Sequence, residues 1–247
     1  MPGNGRLLIL NNMELIGSAK KTGRIAGLLY LVVIVTGIFS LAYVPKKLFV
    51  WDDPTVTFNN IVSSELLFRL SIVSSVLCYT AFIFLPLALY KLLRLVNNTA
   101  AISMVILAII SVPVSLINLQ NKFSVLNLIS RDKYLNIYSA GQLESQVLFY
   151  LNQYDSGILI AMVFWGLWLF PFGYLVYRSG FLPKFLGVLL MLGCFGYLIN
   201  FTGNVLLNNY TQMGIAKYVS MPATLGEIGI CIWLLIGRTR KPREPLA

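Results

Sequence analysis

Glu227 is the residue whose type and place could do the most chemistry. It stands inside an otherwise uncharged run, Ser220 to Gly237, ten residues before the end of that run. Ten helical residues span roughly 15 Å, which places the carboxyl near the middle of a hydrocarbon core about 30 Å thick. An ionised group at that depth costs roughly 3 kcal/mol or more unless it faces a wet cavity, finds a partner or takes up a proton. Two roles fit: a proton-coupled or cation-binding carboxylate, or a Glu that hydrogen-bonds a neighbouring helix as structural glue.

Two nearby patterns offer it partners. Gly193, Gly196, Tyr197, Asn200, Gly203 and Asn204 make one small and polar helical face, and asparagine amides are costly against lipid, so this stripe is expected to point inward. Thr224, Glu227 and Cys231 share one side of their own run. A contact that brings Asn200 near Glu227 is the expected interior cluster, with ordinary close packing as the alternative. Arg69 and Asp155 lie at similar depth and could pair between helices, although Glu65 is four residues before Arg69 and can pair locally. Ser71, Ser74, Ser75 and Cys78 form a small face almost opposite Arg69. The candidate binding or polar cluster is therefore Glu227, Asn200, Asn204, Arg69 and Asp155.

Absent residue types exclude other chemistry. The chain has no histidine, which removes Ser-His and Cys-His catalysis and His-ligated zinc or haem. Cys78, Cys194 and Cys231 are far apart within apolar runs and read as small buried hydrophobes. No phosphate-binding glycine loop is present, and no lysine falls within an expected span. No cofactor, metal or nucleic acid is implied, and an enzyme would need an unusual acid-base set.

The elements that must position these groups are membrane helices. Of 247 residues, 57% are hydrophobic and 11% charged, less than half the charge of about 25% in a soluble domain. Six runs are apolar enough to span: about 25–44, 66–90, 99–119, 156–177, 186–207 and 220–237. The fold class is thus all-α, a polytopic bundle of six transmembrane helices. Twelve basic residues fall on the side of the two short connections and the termini, against six on the other side, so both termini are expected in the cytoplasm. Residues 1–19 form an N-terminal tail, poorly ordered up to Asn12, and 238–247 a basic C-terminal tail. Met13 is an alternative start, and the run from Ile25 has an alternative reading as a signal peptide. In the long outer connection, Ser139 and Gln142 match a capping box that opens a helix through Leu143, Val147, Leu148 and Leu151. Asp155-Ser156-Gly157 is the expected bend or boundary. Pro171 is expected to kink span four within its aromatic stretch Phe164 to Phe172, which would serve as packing or as the wall of a cavity.

Lys20-Lys21-Thr22-Gly23-Arg24-Ile25-Ala26-Gly27, Ser64-Glu65-Leu66-Leu67-Phe68-Arg69, Asp155-Ser156-Gly157 and above all Tyr174-Leu175-Val176-Tyr177-Arg178-Ser179-Gly180-Phe181-Leu182-Pro183 resemble a bacterial multi-pass membrane family, domain of unknown function 4386. The resemblance runs from about Lys20 to Gly237. It implies the bacterial cytoplasmic (inner) membrane and several spans, and it carries over no activity and no site residue. The lipid bilayer is the partner this composition requires. Beyond it, the leading expectation is binding or transport of a small molecule or ion in an outward-opening polar cavity with Glu227 at its base. The alternative is a non-catalytic scaffold or accessory subunit of a larger complex.

Overall fold

The computed structural model describes residues 3–130 and 138–237. The elements in order are α1 (Gly3–Gly37), a π-helical turn (Ile38–Tyr43), α2 (Val44–Leu48), α3 (Pro54–Ser63), α4 (Glu65–Leu93), α5 (Asn98–Asn118), α6 (Gln120–Ser130), α7 (Ala140–Leu167), α8 (Leu169–Arg178), α9 (Lys184–Leu206), a 3-10 turn (Tyr210–Met213) and α10 (Ile215–Ile236). Six stretches are long and apolar enough to cross a membrane: Lys20–Leu48, Glu65–Leu93, Asn98–Ile129, Ala140–Arg178, Lys184–Leu206 and Ile215–Ile236. The protein is an all-α polytopic bundle, with no strand among the described residues. Helix α1 takes in residues 3–19, the stretch expected as a tail. The basic tail 238–247 lies outside the described residues.

Two spans run further than hydropathy alone suggests. The third span does not stop at Leu119; α6 carries it on to Ile129 and takes Lys122 inside the span. The step at Leu119 has a local cause, because Asn121 Nδ2 donates to the Asn118 carbonyl (3.2 Å) and Oδ1 (3.0 Å) and so competes with the backbone ladder. Helix α7 passes through Asp155-Ser156-Gly157 without the expected bend. Gly157 is a close-approach residue there, since a Cβ on it would overlap the Asn118 side chain. The break in span four falls at Trp168, between α7 and α8; Pro171 has no N–H to give the Leu167 carbonyl. The capping box forms as expected, with Ser139 N–H donating to Gln142 Oε1 (3.0 Å) and Gln142 N–H to Ser139 Oγ (3.4 Å).

The chain packs as two compact units. One takes residues up to Leu31, Phe82–Ile109 and those from Met162 onward; the other takes Val32–Ala81 and Ile110–Ala161. We call them the Glu227 unit and the Lys122 unit. In the Glu227 unit, α9 and α10 form an antiparallel hairpin in which Gly193 meets Ala223, Gly196 meets Val219 and Leu190 meets Gly226. Before it, the α8–α9 turn places Gly180 at φ +71°, where a side chain would be strained, and Ser179 Oγ accepts the Leu182 N–H (3.1 Å). This accounts for the Arg-Ser-Gly-Phe-Leu-Pro connector. Trp168, Phe82, Phe172 and Tyr30 fill an aromatic core in the same unit. The Lys122 unit has an apolar cluster that includes Val44, Ile61, Phe68, Val125, Val147 and Leu151.

Candidate functional site

Glu227 lies in the Glu227 unit and is half-buried. Its partner comes from the first span, not the fifth: Tyr30 Oη donates to Glu227 Oε1 at 3.1 Å. Tyr30 is buried, and its ring leans on Trp168 at a centroid distance of 6.3 Å. One turn along α10, Cys231 Sγ approaches the Gly27 carbonyl at 3.6 Å. Gly27 permits that approach, since a Cβ there would sit 3.0 Å from the Leu235 backbone nitrogen. The side of α10 marked by Glu227 and Cys231 therefore faces α1. Glu227 Oε2 carries no hydrogen bond among the described residues.

The expected Asn200–Glu227 cluster does not form. Asn200 Nδ2 donates to Ser220 Oγ (2.7 Å) and reaches the Ala216 carbonyl (3.5 Å), while Tyr210 Oη donates to Asn200 Oδ1 (2.7 Å). Ser220 precedes Glu227 by seven residues, which is about 10 Å of helix. The reason is hairpin arithmetic: across a tight turn, facing residues sit at mirror positions about it, and the mirror of Glu227 is near Val188 rather than Asn200. Asn204 turns back on its own helix and donates to the Asn200 carbonyl (2.8 Å).

Arg69 and Asp155 belong to the Lys122 unit. Arg69 takes the local partner, with Nε 2.6 Å and Nη2 2.5 Å from Glu65 Oε1. It also stands at an apolar groove of about 520 Å³ whose walls include Ile72, Val73, Phe123 and Leu126. Asp155 is exposed.

The residue that sequence reasoning missed is Lys122. It is fully buried, its Nζ 3.4 Å from Ser71 Oγ, 3.5 Å from the Ser40 carbonyl and 4.4 Å from the centre of the Tyr154 ring. Proline explains the free carbonyl. In the π-helical turn the Val44 N–H bonds the Phe39 carbonyl, five residues back; the same register would give the Ser40 carbonyl to the N–H of residue 45, and Pro45 has none. Along one face of α5–α6, Ser111, Ser115, Asn118 and Lys122 fall at four-, three- and four-residue steps, and all are buried. Ser71, Ser75 and Tyr79 repeat at four-residue steps on α4 and are buried too. Tyr79 and Tyr154 lie beside each other and beside Ser115 and Ser75, yet neither phenol oxygen makes a hydrogen bond of sound geometry with them. The Ser71-Ser75 face was legible in the sequence. The stripe from Ser111 to Lys122 was not, because a lysine ends a hydropathy run.

The family described as Domain of unknown function (DUF4386) matches the chain over residues 25–237. An uncharacterized protein of Archaeoglobus fulgidus is 35% identical over 86 residues, which cover 35% of this chain and 49% of that protein. The match thus spans about half of that relative's length. No solved structure matches.

Proposed function

We propose that this chain, which belongs to the DUF4386 family, binds or transports a small molecule or an ion within the membrane, with Glu227 as a ligand-facing group. The observation that carries the proposal is the unequal state of its two carboxyl oxygens: Oε1 is held by Tyr30, while Oε2 carries no hydrogen bond among the described residues. A carboxyl so oriented offers a ready acceptor to a cation or a ligand donor. The proposed location is the cytoplasmic membrane of a bacterium, with both termini in the cytoplasm.

The test is a thermal-stability screen of the detergent-purified chain against small ions, amphiphiles and lipids across pH, with wild type beside Glu227→Gln. A ligand present at a hundredfold above its Kd stabilises the folded state by about 2.7 kcal/mol. The expected result is a ligand-specific rise in melting temperature that Glu227→Gln loses. A second reading, a scaffold or accessory subunit, draws support from the same Tyr30–Glu227 bond as interhelical glue. Under it the two proteins share a flat ligand response and a partner copurifies.

Orientation has its own test. Lys91 is exposed in the last turn of α4, at the end of span two, and Lys91→Cys in intact cells is expected to resist a membrane-impermeant maleimide. Labelling from outside would invert the proposed topology.

A further inference from the structure

The structure assigns a second site, independent of Glu227: we propose that the buried cluster of Lys122, Tyr79 and Tyr154 binds a small monovalent anion, a halide or short carboxylate. An ammonium has three N–H donors and no acceptor. Here it has two contacts, both at the long end of hydrogen bonding, from the Ser40 carbonyl and Ser71 Oγ. The face of Tyr154 offers a third, weaker attraction. None of these groups carries a negative charge, and no carboxylate among the described residues pairs with Lys122.

Hydrogen-bond supply points the same way. The hydroxyl hydrogens of Ser71, Ser75 and Ser115 go to carbonyls of their own helices, at 2.7, 2.9 and 2.9 Å. The phenols of Tyr79 and Tyr154 are sealed from solvent and make no hydrogen bond of sound geometry, although the oxygens of Ser115 and Ser75 stand close by. The unit therefore gathers an ammonium with no anionic partner and two phenols with no well-made hydrogen bond around one tyrosine ring. Loss of a proton from Lys122 would remove the charge but leave the phenols, and a water molecule would serve the phenols but leave the charge; a small anion answers both. Buried charges in proteins are normally paired and hydrogen-bonded, and donors left idle away from water are costly. The π-helical turn fits this assignment, because such turns cluster at functional sites and this one supplies the bare carbonyl that orients the ammonium.

The experiment uses the full chain in detergent, with gluconate as the reference anion. Chloride, bromide and formate replace it at constant ionic strength while the melting temperature is followed. Wild type is expected to gain several degrees, saturably and with a preference among the anions. Lys122→Met is expected to lose the response. Should Lys122→Met fail to fold, Tyr79→Phe combined with Tyr154→Phe keeps the ammonium and is expected to weaken the anion by about tenfold or more. Glu227→Gln is expected to respond as wild type does, which separates this site from the function proposed above. A wild-type chain indifferent to the identity of the anion, or a Lys122→Met chain with an unchanged response, would overturn the assignment.

Discussion

Replacing Trp168 with alanine is expected to destabilise the protein by about 3 kcal/mol, the low end of the range for deleting a buried large aromatic. Trp168 is among the largest fully buried side chains. Phe172 stacks on it at 5.1 Å with 9° between the planes, and Phe82 meets it edge-on at 5.2 Å. The low end applies because lipid is as apolar as a helix interior, so moving the ring from lipid to core gains little transfer energy. What is lost is dispersion with close neighbours, and what is left is a cavity. Trp168→Phe keeps most of the stack and is expected to cost less than half as much. Denaturant titration in bicelles measures both. Because Tyr30 leans on Trp168 while holding Glu227, the alanine variant should also blunt any ligand response that depends on Glu227. A Trp168→Ala chain with wild-type stability would mean that this aromatic cluster is not the core of its unit.

Gly196→Leu carries the other large effect. A Cβ on Gly196 would overlap the Val219 carbonyl oxygen, and one on Gly193 would stand 2.7 Å from Ala223 Cα. These are backbone obstacles, so no rotamer relieves them and α9 and α10 must move apart. Close packing of small residues is a main source of helix association in lipid. The expected cost for leucine is about 3 kcal/mol, the top of the overpacking range, and for alanine about 1–2 kcal/mol. Separation would also stretch the Asn200–Ser220 bond, now 2.7 Å. Gly141→Ala provides the contrast: nothing lies within 4 Å of a Cβ there, so it is expected to be neutral or slightly stabilising. Equal unfolding midpoints for Gly196→Leu and wild type would refute so close an approach of the two helices.

Much of the architecture was legible along the chain. Span number follows from apolar run length, and a charge-poor stretch of some twenty residues has few other uses. The Ser139–Gln142 box was legible because its bonds join residues three apart. The three cysteines are buried and free, as their apolar settings suggest. Local pairing of Arg69 with Glu65 was visible as a four-residue step. Even the failure at Asn200 was avoidable, since a short turn between two helices dictates mirror-image partners.

Other features depend on groups distant in sequence. Composition and spacing determined that this protein is a bundle of membrane-length helices and that Glu227 lies within one of them. Only the tertiary structure decided that Tyr30, from the opposite end of the chain, holds that carboxyl. Lys122 is the sharper case. On a one-dimensional scale a lysine marks the edge of a span, because its cost against lipid is what the scale records. Its actual surroundings are a proline-freed carbonyl at Ser40, the Ser71 hydroxyl and the Tyr154 ring, and burial among such partners changes the cost in a way that only their arrangement in space can set.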